Sequence, residues 1–334
     1  MTKLNKTSSN FVLLVAATTL LASRPVGAEN FSINYDNLSF FEEPLAVDVA
    51  GFTLSYNQLY DLPVTFDFQN NTEDVAPNTV FEVRIERQLP NALTIGGAYA
   101  GSVEDGRDDQ YQDAWAGYIG GVWGTVFGGE VTGLVREDTR RFRGVGNAEL
   151  AFDDFLGQAN DTGLAYRGQY SAFVVTAAGD DDGKHDIGVS YNRPSKFLDH
   201  RVTARYVNGD FHLTDGRGRV ENRGGSLVGE IIYGSLLVDV GVGYEEFDGP
   251  LNGEDRIFTS FGLSYKYNQV SLSVESHLGE LAGFDETSFS VGGRYDVARG
   301  LSLNLGYNYS DIEADFVEDA GQTSKMKLSV RYEY

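Results

Sequence analysis

The chain contains no cysteine, which excludes disulfides and thiolate metal sites. Proline and methionine are scarce, at 7 and 2 of 334 residues. Basic residues are in deficit, 26 against 49 acidic ones, for a formal charge of −23. Nucleic-acid binding is disfavoured by that balance, because counterion release requires a basic surface. Long apolar runs are also missing beyond residue 28. Nothing there approaches the ~18 residues of a membrane-spanning helix. What the chain has in quantity is glycine (40), phenylalanine (21) and tyrosine (19), a composition suited to strands and tight turns.

The first residues read as an export signal. Lys3 and Lys6 give a positive start, residues 11–21 form an apolar run short for a spanning anchor, and Val26-Gly27-Ala28 supplies small residues before Glu29. Residues 1–28 are expected to be a cleavable signal peptide, leaving 29–334 as the folded domain. Removal takes away three bases and no acids, deepening the charge from −23 to −26.

The body of the chain alternates with a period of two. Near the end, Met326, Leu328, Val330, Tyr332 and Tyr334 share one face, and Lys325, Lys327, Ser329, Arg331 and Glu333 the other. Upstream, Leu301, Leu303, Leu305 and Tyr307 alternate with Ser302, Asn304, Gly306 and Asn308. Successive side chains of a strand point to opposite faces, so each segment carries one apolar and one polar or small face. A soluble sandwich also alternates, but with strands nearer ~5–6 residues. Runs of about ten to thirteen match a tilted strand crossing a bilayer.

Sixteen candidate strands follow: 45–60, 78–89, 92–103, 111–121, 123–132, 162–169, 171–180, 184–193, 199–210, 223–233, 235–247, 255–267, 269–279, 285–296, 299–311 and 323–334. The first is the least sharply defined, since 29–44 and 63–69 also hold short apolar runs. Short turns alternate with longer acidic or glycine-rich links at 61–77, 104–110, 133–161, 181–183, 211–222, 248–254, 280–284 and 312–322. An even strand count with short turns at one end and long loops at the other describes a transmembrane β-barrel of a Gram-negative outer membrane. Only a closed sheet satisfies its backbone groups in hydrocarbon, so strand 323–334 is expected to pair with strand 45–60. The predicted fold class is all-β, a 16-stranded antiparallel barrel.

Three stretches resemble the general porin family of Gram-negative bacteria. Val122-Trp123-Gly124-Thr125-Val126-Phe127-Gly128-Gly129 is similar to the strand leading into that family's inward-folded third loop. Gly163-Leu164-Ala165-Tyr166-Arg167-Gly168 resembles the strand after it, including a Tyr-Arg pair. The C-terminal strand ends in an aromatic residue, though Tyr334 replaces the family's usual Phe. Phe81-Glu82-Val83-Arg84-Ile85-Glu86 departs from the family's second strand. The resemblance implies passive diffusion of small hydrophilic solutes and ions, a third loop inside the lumen, a homotrimer, assembly by the barrel-assembly machinery, and residence among outer-membrane lipid and lipopolysaccharide.

Residues 133–161 are the longest link and mix both signs of charge. Glu149, Asp153 and Asp154 are the candidate acidic side of a constriction, interleaved with apolar anchors such as Phe152 and Phe155. Arg167, within the Tyr-Arg pair, and Arg84, whose parity points inward, are the candidate basic side. Arg201, Arg205, Arg256, Arg294 and Arg331 share the inward parity as weaker candidates. Acids facing bases would set a transverse field and an ion preference. The excess of acids favours modest cation preference, although screening over about 8 Å hides distant loops. The acidic stretches 180–182 and 311–319 read as solvated loops rather than divalent-cation sites, lacking calcium-loop spacing. No cofactor is implied.

Two other readings bear weighing. A barrel hydrolase needs a nucleophile beside a base. Of the four histidines only His277 lies in a clean alternating strand, facing inward with Glu275, and no Gly-x-Ser-x-Gly surrounds it. An adhesin or ligand-binding barrel would fill its lumen; inward Gly, Ser, Asn and Thr argue for open space instead.

Overall fold

The computed structural model describes residues 45–333 apart from 105–110, 142–143, 160, 196–197 and 318–319. The expected signal peptide and Tyr334 lie outside the described residues. Eighteen strands form one antiparallel sheet. In the first half they are β1 (Leu45–Val49), β2 (Phe52–Asp67), β3 (Thr72–Val75), β4 (Asn78–Gln88), β5 (Thr94–Glu104), β6 (Tyr111–Gly121), β7 (Gly124–Glu130), β8 (Thr162–Tyr170) and β9 (Phe173–Asp180). The second half comprises β10 (His185–Arg193), β11 (Asp199–His212), β12 (Arg219–Tyr233), β13 (Leu236–Asp248), β14 (Asp255–Tyr267), β15 (Val270–Leu281), β16 (Phe284–Ala298), β17 (Leu301–Ile312) and β18 (Gly321–Glu333).

Sixteen of these, β2 and β4 to β18, close the ring. Each pairs with its successor, and β18 returns to β2 with Glu333 opposite Leu59 and Lys325 opposite Asp67. The other edge of β2 pairs with β4, from Thr53 opposite Glu86 to Asp61 opposite Asn78. The short strands complete the edges of β2: β1 covers Phe52–Tyr56 below the end of β18, and β3 covers Val64–Asp67 above β4. Every interior strand thus has its ladder satisfied on both sides, as hydrocarbon requires.

The first barrel strand begins at Phe52 rather than 45. Ala50 and Gly51 both have positive φ, 53° and 80°, and fold 45–49 back as a hairpin arm. Alternation then runs on through Asp67, carrying the strand well past 60. The expected link 280–284 is likewise only the two-residue turn Ala282-Gly283, again with positive φ at both positions. The links 211–222 and 312–322 shrink to 213–218 and 313–320. Strand tops that rise above the bilayer can carry outward charges such as Arg219, Glu221 and Arg223, which break the apolar pattern without breaking the strand.

Alternation sorts the two faces. On β13, Val240 and Val242 point outward and are 50% and 48% exposed, while Asp239 and Glu245 point inward and are buried. The outer face is a band of Leu, Val, Ile and aromatic side chains; the inner face is polar, small or charged. The inner charges are buried because a long connection between β7 and β8 covers them.

Candidate functional site: a loop seated on the inner wall

The described residues of 131–161 leave β7, turn into the barrel and return to β8. They open with one short helix, α1 (Leu134–Thr139), whose N-cap Gly133 takes the left-handed φ of 71°. Leu134 and Val135 pack on a bed of Ala98, Ala116, Phe127, Ala165 and Ala178. Those inward alanines are where the loop lies down, so part of the small-residue content of the lumen is a seat for the loop rather than open channel.

Beyond α1 the loop runs around the wall in two tiers. In the lower tier, Thr203 donates to the Thr139 carbonyl at 2.6 Å and Arg201 to the Arg140 carbonyl at 2.6 Å. Arg141 bridges Asp239, at 2.8 Å, and Glu275. The Val145 amide donates to Ser273 at 2.8 Å, and the Asn147 side chain reaches Ser329 of β18 at 3.2 Å. The chain turns there. In the upper tier the Glu149 amide donates to Asn308 at 2.8 Å, Ser288 donates to the Ala151 carbonyl at 2.9 Å, and Asn222 to the Gly157 carbonyl at 3.1 Å. One loop therefore touches the wall from α1's contacts on β9 to the last strand.

Inward glycines let the backbones approach. A Cβ at Gly209 would strike the Gln158 amide, at Gly292 the Val145 carbonyl, and at Gly306 the Asn147 carbonyl. Gly188 lies under Thr139 in the same way. These positions sit on β11, β16, β17 and β10 and trace the loop's path.

Arg256 pins the upper tier. Fully buried, it donates to the Phe152 carbonyl at 2.5 Å and the Asp154 carbonyl at 2.7 Å. It also pairs with Glu245 at 2.7 Å and Glu286 at 3.0 Å, and Glu245 in turn accepts the Leu156 amide at 3.3 Å. Its guanidinium lies 4.5 Å from the Phe258 ring centroid, a cation–π contact.

The sequence-derived site residues are distributed as follows. Asp154 lies between Arg136 at 2.6 Å and Arg205 at 3.0 Å, and Asp153 lies 3.6 Å from Arg141. Arg167 is clamped to Asp138 at 2.8 Å, and Arg84 lies 3.2 Å from Glu82 on its own strand. Glu149 is exposed at the loop's turn, beside Asn308, which faces Lys325 across the β17–β18 ladder. Asp153 and Asp154 thus share one charge cluster with arginines of loop and wall. Arg84 and Arg167 are held apart from it by separate partners. Among the weaker candidates, Arg205 and Arg256 enter the cluster's wiring, and Arg331 pairs with Asp61 at 3.1 Å. Arg141 and the wall acids Asp239, Glu245 and Glu286 are not among the sequence-derived candidates, and Glu275 enters there only as the inward neighbour of His277. The signal was present: acids at inward parity in strands whose other inward residues are mostly Gly and Ser.

Burial alone would raise the Asp154 carboxyl, but the guanidiniums of Arg205 and Arg136 override it and hold the group below its ordinary value of 3.8. A carboxylate depressed in the folded state keeps its full contribution above the ordinary value and loses it as pH falls through the depressed one. This attachment is expected to hold at neutral and mildly acidic pH and to release only below 3.8. Single-channel conductance titrated against pH checks this; a wild-type transition near neutrality that Asp154→Asn abolishes would contradict it.

A second constellation lies beside the cluster. Ser260 Oγ is 2.9 Å from His277 Nδ1, and His277 Nε2 is 3.2 Å from Glu286. The order resembles a hydrolytic relay, yet Glu286 is also engaged by Arg256 and His277 is 0% exposed. The adjoining cavity, lined by Ser260, Arg141, Asp153, Asp154 and Arg205, is about 20 Å³. That volume is about what one water needs.

No family model and no curated relative matches the sequence. Similarity appears at the level of solved structures. The trimer form of OmpT, an outer membrane protein of Vibrio cholerae, superposes with a TM-score of 0.67 at 15% identity, over 85% of this chain and all of that one. An anion-selective porin from Comamonas acidovorans gives 0.62 at 13% identity, over 85% and 100% of the two chains. A mutant of Rh. blastica porin gives 0.54 at 13% identity, over 84% and 100%. Identities this low speak to fold alone. Together with the closed sixteen-stranded ring, they make this chain a multi-pass β-barrel of the bacterial outer membrane.

Proposed function

We propose that the barrel is a porin, a water-filled path for passive diffusion of small hydrophilic solutes and ions, narrowed by residues 131–161. The observation carrying this reading is the seating of that loop. Its backbone lies on inward glycines of β10, β11, β16 and β17, which holds it against the wall. Sixteen strands enclose more space than side chains alone fill. A loop laid along the wall of such a barrel narrows it. Two of the neighbours in fold are porins by name.

Glu149, Asp153, Asp154, Arg84 and Arg167 are the proposed lining charges. Because Asp153 and Asp154 are compensated by arginines, the loop contributes little net field, and ion preference should be weak and cationic. Purified protein in planar bilayers tests the function directly: stepwise conductance with slightly cation-selective reversal potentials is expected. Absence of channels from protein that keeps its folded, heat-modifiable gel mobility would refute the reading, and clear anion preference would refute the selectivity.

A homotrimer fits the outer surface. Gly97, Gly117 and Gly128 face outward on neighbouring strands in direct register, making a smooth strip across β5 to β7. The opposite outer face carries Leu, Val, Phe and Tyr. A Cβ at Gly117 would meet nothing closer than 3.9 Å, so the barrel itself tolerates a side chain there. Gly117→Leu is expected to leave the monomer folded and to weaken the trimer, read by light scattering in detergent. An unchanged trimer would move the interface elsewhere. Passage through export and the barrel-assembly machinery, with lipid and lipopolysaccharide around the barrel, completes the proposal.

A further inference from the structure

At the loop end of the barrel, which in outer-membrane barrels is the extracellular side, the inward residues change character. Val220, Phe247, Leu281 and Ile312, at the tops of β12, β13, β15 and β17, point into the barrel and are at most 3% exposed. They are buried against one another and against three connections. Leu213 comes from 213–218, Leu251 from 249–254, and Ala314, Phe316 and Val317 from 313–320. Phe152 and Leu156 of the wall-seated loop pack against the underside.

Connection 313–320 does the bridging. It arises between β17 and β18, yet the Thr214 amide, in the connection after β11, donates to the Phe316 carbonyl at 2.9 Å. Arg217 lies 5.0 Å from the Phe316 ring centroid, and Phe284 meets that ring edge-on at 5.8 Å. β11 and β17 are six strands apart in a ring of sixteen, so the contact is a chord across the mouth rather than a link between neighbours. No described residue of β2 to β10 or of their connections belongs to this core, apart from the underside supplied by Phe152 and Leu156.

We propose that residues 313–317 and these strand tops form an apolar roof that closes the β11–β18 half of the extracellular mouth, confining solute access to the half over β2 and β4–β10. The roof is a second restriction, distinct from the wall-seated loop beneath it. A dry core of this kind gives a polar solute no hydrogen-bond partners, so it excludes by desolvation as well as by size. The consequence for permeation rests on the porin reading; the closed roof does not.

The native chain has no cysteine, which makes the test direct. Leu281→Cys, inside the packed core of the roof, is expected to be inert to a charged, membrane-impermeant methanethiosulfonate added to intact cells. Replacing residues 314–317 by alternating glycine and serine should make it fully reactive. Val220→Cys is the second reporter, and Phe316→Ser the milder opening should the replacement not fold, as judged by heat-modifiable mobility. In bilayers the opened variants should conduct more and pass larger neutral polyethylene glycols than the parent. Equal thiol reactivity before and after opening, in folded protein, overturns the roof. Altered reactivity with unchanged conductance and cut-off overturns its role in access. If no variant conducts at all, the porin reading falls while the labelling contrast still judges the roof.

Discussion

Arg256→Met is expected to loosen the whole upper tier of the wall-seated loop and to cost about 3–5 kcal/mol of barrel stability, the usual penalty for breaking a buried ion pair. The side chain is 0% exposed and serves four acceptors: Glu245, Glu286 and the carbonyls of Phe152 and Asp154. Methionine keeps much of the apolar contact with Phe258 and Phe152 but leaves two carboxylates in a dry site without their counter-charge. The companion variant R256M/E245Q/E286Q removes the stranded charges and should recover most of the loss, since the penalty comes from the unpaired partners rather than from a missing attraction. The temperature at which heat-modifiable gel mobility is lost gives the ranking. A single mutant as stable as the parent would mean that Arg256 is not the pin described here.

The second large effect is steric. A methyl at Gly306 would collide with the backbone carbonyl of Asn147; a Cβ has no torsion to turn on and its partner is backbone, so neither can rotate away. Gly306→Ala is therefore expected to lift the loop's turn off β17 and break the Asn147 contacts with Ser329 and Asn308. The displaced turn moves toward the barrel axis, so on the porin reading conductance should fall and become noisy. Gly241→Ala is the control: it also faces inward, on β13, but its Cβ would meet Val228 at an ordinary 3.4 Å. Single-channel records that match the parent for Gly241→Ala and not for Gly306→Ala support the seating. Matching records for both would dismiss it.

The strands were legible because a transmembrane barrel writes its register into every residue: one slip would turn an apolar face inward. The failures fell where that pressure lifts. Residues 45–49 lie at the turn end and can fold back on two positive-φ residues without exposing anything to lipid. The strand tops above the bilayer, such as Arg219 to Arg223, carry outward charges and lose the pattern while keeping the ladder. The loop itself was legible from its length and mixed charge. Its partners were not, because Arg141 meets Asp239 and Glu275, 98 and 134 residues away, and only the closed ring brings them together. Glu149, Asp153 and Asp154 could be named as loop acids. That two of them would be spent on arginines, leaving Glu149 exposed, depends on which wall residues lie beneath each, and periodicity carries no information about that.

The reach of the loop has a consequence for biogenesis. Its turn holds Ser329 and the Lys327 carbonyl of the final strand, although it was synthesised some 180 residues earlier. The loop cannot finish docking until the last strand has arrived and the seam with β2 is sewn. A half-built barrel would hold an untethered loop, so that the loop's final seating certifies a completed wall.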